Sequence, residues 1–203
     1  MKIICIGRNY ADHAREMKSA VTAVPVYFMK PETALVTGNR PFPLPDFSKD
    51  VHHEVEVVFR ISREGKQIGE QEASRYFRKI GLGIDFTARD LQHEMKEKGM
   101  PWEIAKGFDH SAPVSRFLSV KRFGDIHHLS FRLDLNGTTV QEGNTSGMIF
   151  SIEAIIAYVS RFVTLRPGDL VFTGTPAGVG PVAAGDRLEG FLEGVRMFDF
   201  RVA

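Results

Sequence analysis

Cys5 is the only cysteine in this chain of 203 residues. One thiol cannot close an intrachain disulfide, so a hydrophobic core must carry the fold, and the composition fits a reducing compartment. No run of 18 apolar residues occurs, which leaves no candidate helical membrane span. The opening MKIICIGRNYADH turns polar too soon for a secretory leader. These absences predict a soluble, cytoplasmic protein. An excess of charge of either sign is also missing, with 26 Lys and Arg against 25 Asp and Glu. No basic stripe marks a nucleic-acid face. GTPAGVGP contains no Gly-Lys-Ser/Thr, and GRNYAD lacks the spacing of a dinucleotide fingerprint, so neither makes a nucleotide loop. Gly174 and Gly178 instead predict a tight loop with positive φ, whose backbone N–H groups could hold a carboxylate.

What is present reads as one domain over residues 1–203, with 43% apolar residues to build its core. KIICIG predicts a short buried strand ending at Gly7. RNYADHAREMKSA predicts a helix with Asn9 as its cap. VPVYFMKP is a second strand candidate, and Pro41, Pro43 and Pro45 make the following stretch irregular. VHHEVEVVF continues as a strand to about Ile61. GEQEASRYFRKI predicts a helix, GLGIDFTA a short strand, and RDLQHEMKEKG a helix stopped by Gly99. Asn136–Gly137 favours a hairpin turn within LSFRLDLNGTTVQEG. SIEAIIAYVSRFV has helical spacing, and short strands punctuated by glycine follow. Many strands, few helices and no regular βα alternation predict a mixed, β-rich α+β fold.

VHHEVEVVF, residues 51–59, raises the functional question. Alternation along a strand puts His52, Glu54 and Glu56 on one face and His53, Val55, Val57 and Phe59 on the other. Two like charges on one buried face are costly unless a cation compensates. A solvated edge strand would tolerate the same pattern. Asp85 could cap the helix that follows it, or complete a three-carboxylate site for Mg²⁺ or Mn²⁺. The nearby histidines follow no common zinc spacing.

Other pairs carry similar alternatives. His13 and Glu16 are three apart on one helix side, as an exposed polar pair or as a base with its orienting carboxylate. Arg89 and Gln92 repeat that spacing, as a polar face or as a clamp for a carboxylate. Lys106 is a surface charge or a cation beside an anionic intermediate. Of His52 and His53, one is expected to hydrogen-bond a ligating glutamate and the other to pack.

Seven blocks in order, CIGRNYADHAREM, VYFMKPETAL, VHHEVEVVF, GIDFTARDLQ, PWEIAKGFD, GNTSGMIFSI and LRPGDLVFTGTPAGVG, resemble the fumarylacetoacetate hydrolase family. The resemblance spans nearly the whole chain and is strongest to the short members that lack a long N-terminal domain, acylpyruvases and oxaloacetate decarboxylases or tautomerases. It implies a rolled, mixed β-sheet with a few peripheral helices, assembled as a homodimer. It implies Mg²⁺ or Mn²⁺ held by Glu54, Glu56 and Asp85. It makes His13 and Glu16 the dyad on a mobile helix that closes over substrate. Arg89, Gln92, Lys106 and Thr175 resemble the groups that hold the pyruvyl carboxylate and carbonyl oxygens. The activity expected first is hydrolysis of a C–C bond in short acylpyruvate-type β-diketo acids. Oxaloacetate decarboxylation or keto–enol tautomerisation is the alternative, as is a related 2-hydroxy-dienedioate isomerase or decarboxylase. A non-catalytic metal-binding interaction protein would leave His13, Glu16 and Lys106 without a role.

Overall fold

Strand β3 (Val55–Ile61) carries Glu56 and follows directly on Glu54, and it lies inside a sheet rather than at an edge. The computed structural model describes residues 1–203. Its largest sheet also contains β1 (Ile3–Gly7), β2 (Val26–Lys30), β4 (Phe77–Ile84) and β7 (Leu170–Phe172), in the order β2-β1-β7-β3-β4, with Leu118–Ser119 beyond β4. β1 and β7 run parallel and the other pairs antiparallel, so the sheet is mixed. With β7 on one side and β4 on the other, β3 is not the solvated edge strand that its charges would permit.

A second, antiparallel sheet orders β5 (Ser130–Leu135), β6 (Thr138–Asn144), β8 (Arg187–Leu192) and β9 (Val195–Arg201) as β6-β5-β8-β9. The β5–β6 hairpin turns at Asn136 (φ 52°) and Gly137 (φ 82°), the left-handed pair that suits a tight turn. Gly180–Pro181, Val51–His53 and Thr87–Ala88 form a small third sheet. Four α-helices lie around these sheets: α1 (Ala11–Glu16), α2 (Arg89–Lys98), α3 (Glu103–Lys106) and α4 (Ile152–Ser160). The result is the rolled mixed-sheet fold with peripheral helices. None of its helices is long and apolar enough to cross a membrane.

The alternation of β3 sorts its two faces. Val55, Val57, Phe59 and Ile61 join the main core with Ile155 and Ile156 of α4 and Leu133, Leu188 and Phe198 of the second sheet. Each such side chain contributes about 1.5–3 kcal/mol when fully buried. Val58 points the other way, into a smaller cluster with Ile3, Cys5 and Phe172. Glu56 shares that face with Val58. The acidic face is thus walled by apolar side chains, which sets the dielectric of the site.

Two expected elements differ. Residues 69–80 do not form one helix: a 3₁₀ segment, Glu70–Tyr76, gives way to β4 at Phe77. Ile80, Leu82 and Ile84 are buried along β4, and pairing with β3 overrides the helical preference of Arg78 and Lys79 before them. Helix α1 spans only six residues, and Asn9 does not cap it. The Asn9 side-chain amide instead donates to Phe150 O (3.0 Å) and Thr173 O (2.7 Å), tying the end of β1 to distant loops.

Candidate active site

Strand register assembles the carboxylates. Val55 pairs with Ile84, and Asp85 N donates to Glu54 O at 2.8 Å, so Glu54 and Asp85 meet across the ends of two antiparallel strands. Glu56 lies two residues further along β3 on the same face. One carboxylate oxygen from each of the three residues falls within 4.8 Å of the others, and all three residues are buried.

Three buried or half-buried cations face this cluster, but they are shared unequally. Lys106, on the last turn of α3, donates to Glu54 Oε2 and Asp85 Oδ2, both at 2.8 Å. Arg89, first residue of α2, donates to Glu54 Oε1 at 2.6 Å and to Gln92 Oε1 at 2.7 Å. Lys30 Nζ lies 2.8 Å from Asp85 Oδ1, yet its directed hydrogen bonds go to Phe86 O, Lys106 O and Ser111. Burial pushes the Glu54 pKa upward, but Lys106 and Arg89 outweigh it and hold the carboxyl well below the usual range. Burial likewise opposes the Lys106 charge, while Asp85 and Glu54 overcome it and raise its pKa.

Glu56 has no such cation. Its Oε2 accepts from Gly174 N at 2.6 Å, and burial, then the neighbouring Asp85 and Glu54, push its pKa well above the usual range. An uncompensated buried carboxylate costs several kcal/mol. A divalent cation among these oxygens supplies the missing counter-charge, and an all-carboxylate donor set suits Mg²⁺ or Mn²⁺. Asp85 Oδ1 accepts no directed hydrogen bond and Arg89 Nε finds no acceptor, so the cluster also keeps unused acceptor and donor capacity. The residues fit the metal.

His13 and Glu16 line the same cavity as the carboxylates. His13 Nδ1 and Glu16 Oε2 are 3.0 Å apart, and His13 is 8% exposed. The other oxygen of Glu16 accepts from Gly178 N at 3.0 Å. Gly174 and Gly178 both adopt φ of 99°, as the loop pattern requires, and the carboxylates their N–H groups hold are the protein's own. Positive φ lets this loop turn its amides towards β3 at one end and towards α1 at the other.

Arg89, Gln92, Lys106 and Thr175 all line the cavity too. Thr175 is more constrained than expected: its hydroxyl donates to Val55 O and accepts from Gln141 Nε2, both at 2.8 Å. Neither histidine of residues 52–53 hydrogen-bonds a cluster carboxylate. His52 pairs with Asp50 at 2.9 Å, and His53 with Gln141 Oε1 at 2.9 Å. The intervening backbone leaves β-structure at Glu54, which separates the two short strands and turns His53 towards Gln141. Lys30 and Gln141 were missed by residue spacing. A lysine that ends an apolar strand, as in VYFMK, was the available signal for the first, and Gln141 inside a hairpin strand offered none. Arg8, Lys96 and Trp102 complete the outer wall.

Comparison with known proteins agrees with this geometry. The Fumarylacetoacetate (FAA) hydrolase C-terminal family matches residues 2–203. The human protein named oxaloacetate tautomerase FAHD1, mitochondrial, is 46% identical over 200 residues, covering 98% of this chain and 90% of that protein. Oxaloacetate tautomerase YcgM of Escherichia coli is 44% identical over 194 residues, covering 95% and 89%. Among solved structures, fumarylpyruvate hydrolase from Pseudomonas aeruginosa in complex with Mn²⁺ and pyruvate superposes with a TM-score of 0.94 at 38% identity, covering 100% of this chain and 89% of that one. The Mn²⁺ in that relative and the buried acidic cluster here together establish a divalent metal cofactor. The tautomerase relatives favour oxaloacetate chemistry over the acylpyruvate hydrolysis expected first, which corrects the order of those two readings. The chain belongs to the fumarylacetoacetate hydrolase family, as an enzyme with a divalent-metal site.

Proposed function

We propose that this protein interconverts the keto and enol forms of oxaloacetate or a closely similar small 2-oxo dicarboxylic acid. The observation that carries the reading is the His13–Glu16 pair facing a buried three-carboxylate cluster across one cavity. The identity of 46% and 44% with proteins named oxaloacetate tautomerase supports the substrate class.

Glu54, Glu56 and Asp85 hold the metal. When bound, the cation supplies positive charge that polarises a keto oxygen and stabilises negative charge developing there. Arg89 and Gln92, fixed to each other by a 2.7 Å hydrogen bond, orient the carboxylate beside the keto group, with Thr175 lining the same cavity. Lys106 commits two of its three N–H donors to Glu54 and Asp85, leaving one for the keto oxygen. His13 takes the proton from the carbon between the keto group and the distal carboxylate and releases it to solvent, a solvent proton completes the enol at the keto oxygen, and the reverse direction runs both transfers backwards. Glu16 orients the ring, and Gly178 N fixes Glu16. General acid–base catalysis of this kind contributes about 10²–10⁴-fold.

A second reading keeps a specific support. The likeness to a fumarylpyruvate hydrolase favours C–C bond cleavage, with His13 activating a water instead of a substrate carbon. An NMR time course separates the two, with oxaloacetate and acetylpyruvate in separate reactions against Mg²⁺-only controls. Accelerated keto–enol exchange without acetate release is the expected result. Rapid acetate and pyruvate formation, with exchange no faster than the control, would replace tautomerisation by hydrolysis. CO₂ release as the sole accelerated process would assign a decarboxylase.

A further inference from the structure

The outer wall of the cavity carries two cations that pair with no carboxylate. Arg8 follows β1 with φ of 61°, a left-handed conformation that glycine would hold with less strain. What arginine adds at that backbone is a guanidinium lining the cavity. Lys96 lies on α2 seven residues after Arg89 and four after Gln92, so the three share one helix face. Both cations gather around one aromatic ring. The Arg8 guanidinium carbon is 5.9 Å and Lys96 Nζ 5.7 Å from the Trp102 ring centre. The acidic residues of the same helix are engaged elsewhere, Asp90 with Ser48 Oγ and Lys49 N, Glu94 with Lys98 and Glu97 with His93.

A single ring is weak compensation for two half-buried cations. Burial, and after it the nearby Arg89 and Arg8 charges, hold the Lys96 pKa below its ordinary value. An anion is the group this wall lacks. Its position relative to the metal cluster also suits a particular anion. Lys106 Nζ lies 5.2 Å from the Phe28 ring centre, and the Phe28 and Trp102 rings are 6.0 Å apart edge to face. An aromatic wall therefore runs from the inner cation at the carboxylate cluster to the outer pair. A ligand lying along it meets positive charge at both ends.

We propose that Arg8 and Lys96, set around Trp102, form the subsite for the distal carboxylate of a 2-oxo dicarboxylate. They select dianionic ligands over monoanionic ones with the same 2-oxo acid end. This assignment rests on the reading that the inner end of the cavity grips the 2-oxo acid, and it names the groups that hold the opposite end. A charge-assisted pair at such a site discriminates by about tenfold or more.

The test is binding rather than turnover. Mg²⁺-loaded protein is titrated calorimetrically with 2-oxoglutarate and with 2-oxovalerate, which share a carbon skeleton and differ in a distal carboxylate against a methyl group. The wild type is expected to favour 2-oxoglutarate by about tenfold or more. In folded Arg8→Gly, Lys96→Met and the double variant, the ratio of the two affinities falls progressively towards one. Arg8→Gly suits its backbone conformation, and Lys96→Met keeps a good helix former on α2. If Arg8→Gly disturbs the loop, Lys96→Met alone still reads the ratio. A wild-type ratio of one, a ratio unchanged in the double variant, or no binding of either ligand overturns the subsite. Failure of the function is read separately. A wild type that accelerates no keto–enol exchange but shows a ratio that depends on Arg8 and Lys96 sinks the tautomerase reading and keeps the subsite.

Discussion

Glu54, Glu56 and Asp85 stand at or near the ends of central strands, fixed by register, with Lys30, Lys106 and Arg89 pairing Glu54 and Asp85 and Gly174 N holding Glu56, whereas His13 and Glu16 ride on six residues of helix. The first group is buried in a wall of apolar side chains. The second has no side-chain cap, and its cross-molecule ties are the Asn9 amide at its start and Gly178 N at its end. A helix this short has little stability of its own. The metal floor is therefore costly to perturb, and we propose that the acid–base group, held by fewer ties, rides on a cover that opens without unfolding the sheet. That division suits a site that must keep three like charges together and still admit a substrate.

Asp85→Asn should produce the largest effect, because it leaves Lys30 without its carboxylate and removes one of the two partners of Lys106. A loss of about 3–5 kcal/mol in unfolding free energy is expected, together with loss of Mg²⁺ binding, by denaturant melts and calorimetry. A loss below about 1 kcal/mol would show that the floor is not held by these pairs. Glu56→Gln should act in the opposite direction on the metal-free protein. Because the Glu56 pKa is raised, the folded metal-free protein keeps a proton that the unfolded chain has released. Its contribution to stability is thus highest below the ordinary carboxylate range and falls as pH rises through that range towards the raised value. The variant should lack this decline and be about 1 kcal/mol or more stabler near neutrality when chelated, yet bind Mg²⁺ at least about tenfold more weakly. Thermal melts across pH, with and without chelator, check both signs.

The cover should respond differently. Gly178→Ala places a side chain at φ of 99° against the Val140 carbonyl oxygen, moving the amide that holds Glu16. Stability should fall by only about 1–3 kcal/mol. Amide exchange over residues 9–20 should quicken while β3 and β4 stay protected. Equal loosening of both regions would erase the distinction between floor and cover.

How legible this was in the sequence differs between the same two regions. The period-2 pattern of VHHEVEVVF already put Glu54 and Glu56 on one face, and the structure keeps them there despite the break at Glu54. The meeting of Asp85 with Glu54 depends on the Val55–Ile84 register, which no local pattern encodes; the residues offered Asp85 as a cap or a third ligand, and the family resemblance chose the ligand. RDLQHEMKEKG and SIEAIIAYVSRFV were readable because Gly99 and Ser151 are local stop and start signals, and both act as such. FRKI was misread because its strand pairing is long-range. Asn9 looks like a cap in sequence, and only tertiary partners turn it into a staple. Lys30 offered only the hint of a lysine ending an apolar strand, because its partners come from residues 85–111.

The central claim is that enol chemistry needs both halves at once: the metal on the floor and His13 on the cover. The most direct measurement is the rate of oxaloacetate keto–enol exchange by stopped-flow absorbance, for wild type and His13→Ala, each with saturating Mg²⁺ and with chelator, alongside calorimetric Mg²⁺ titration. Wild type with Mg²⁺ should exceed the metal-only control, chelation should abolish the excess, and His13→Ala should lose about 10²–10⁴-fold while still binding Mg²⁺. Exchange by His13→Ala as fast as by the wild type, or undiminished exchange by the chelated wild type, would contradict the account.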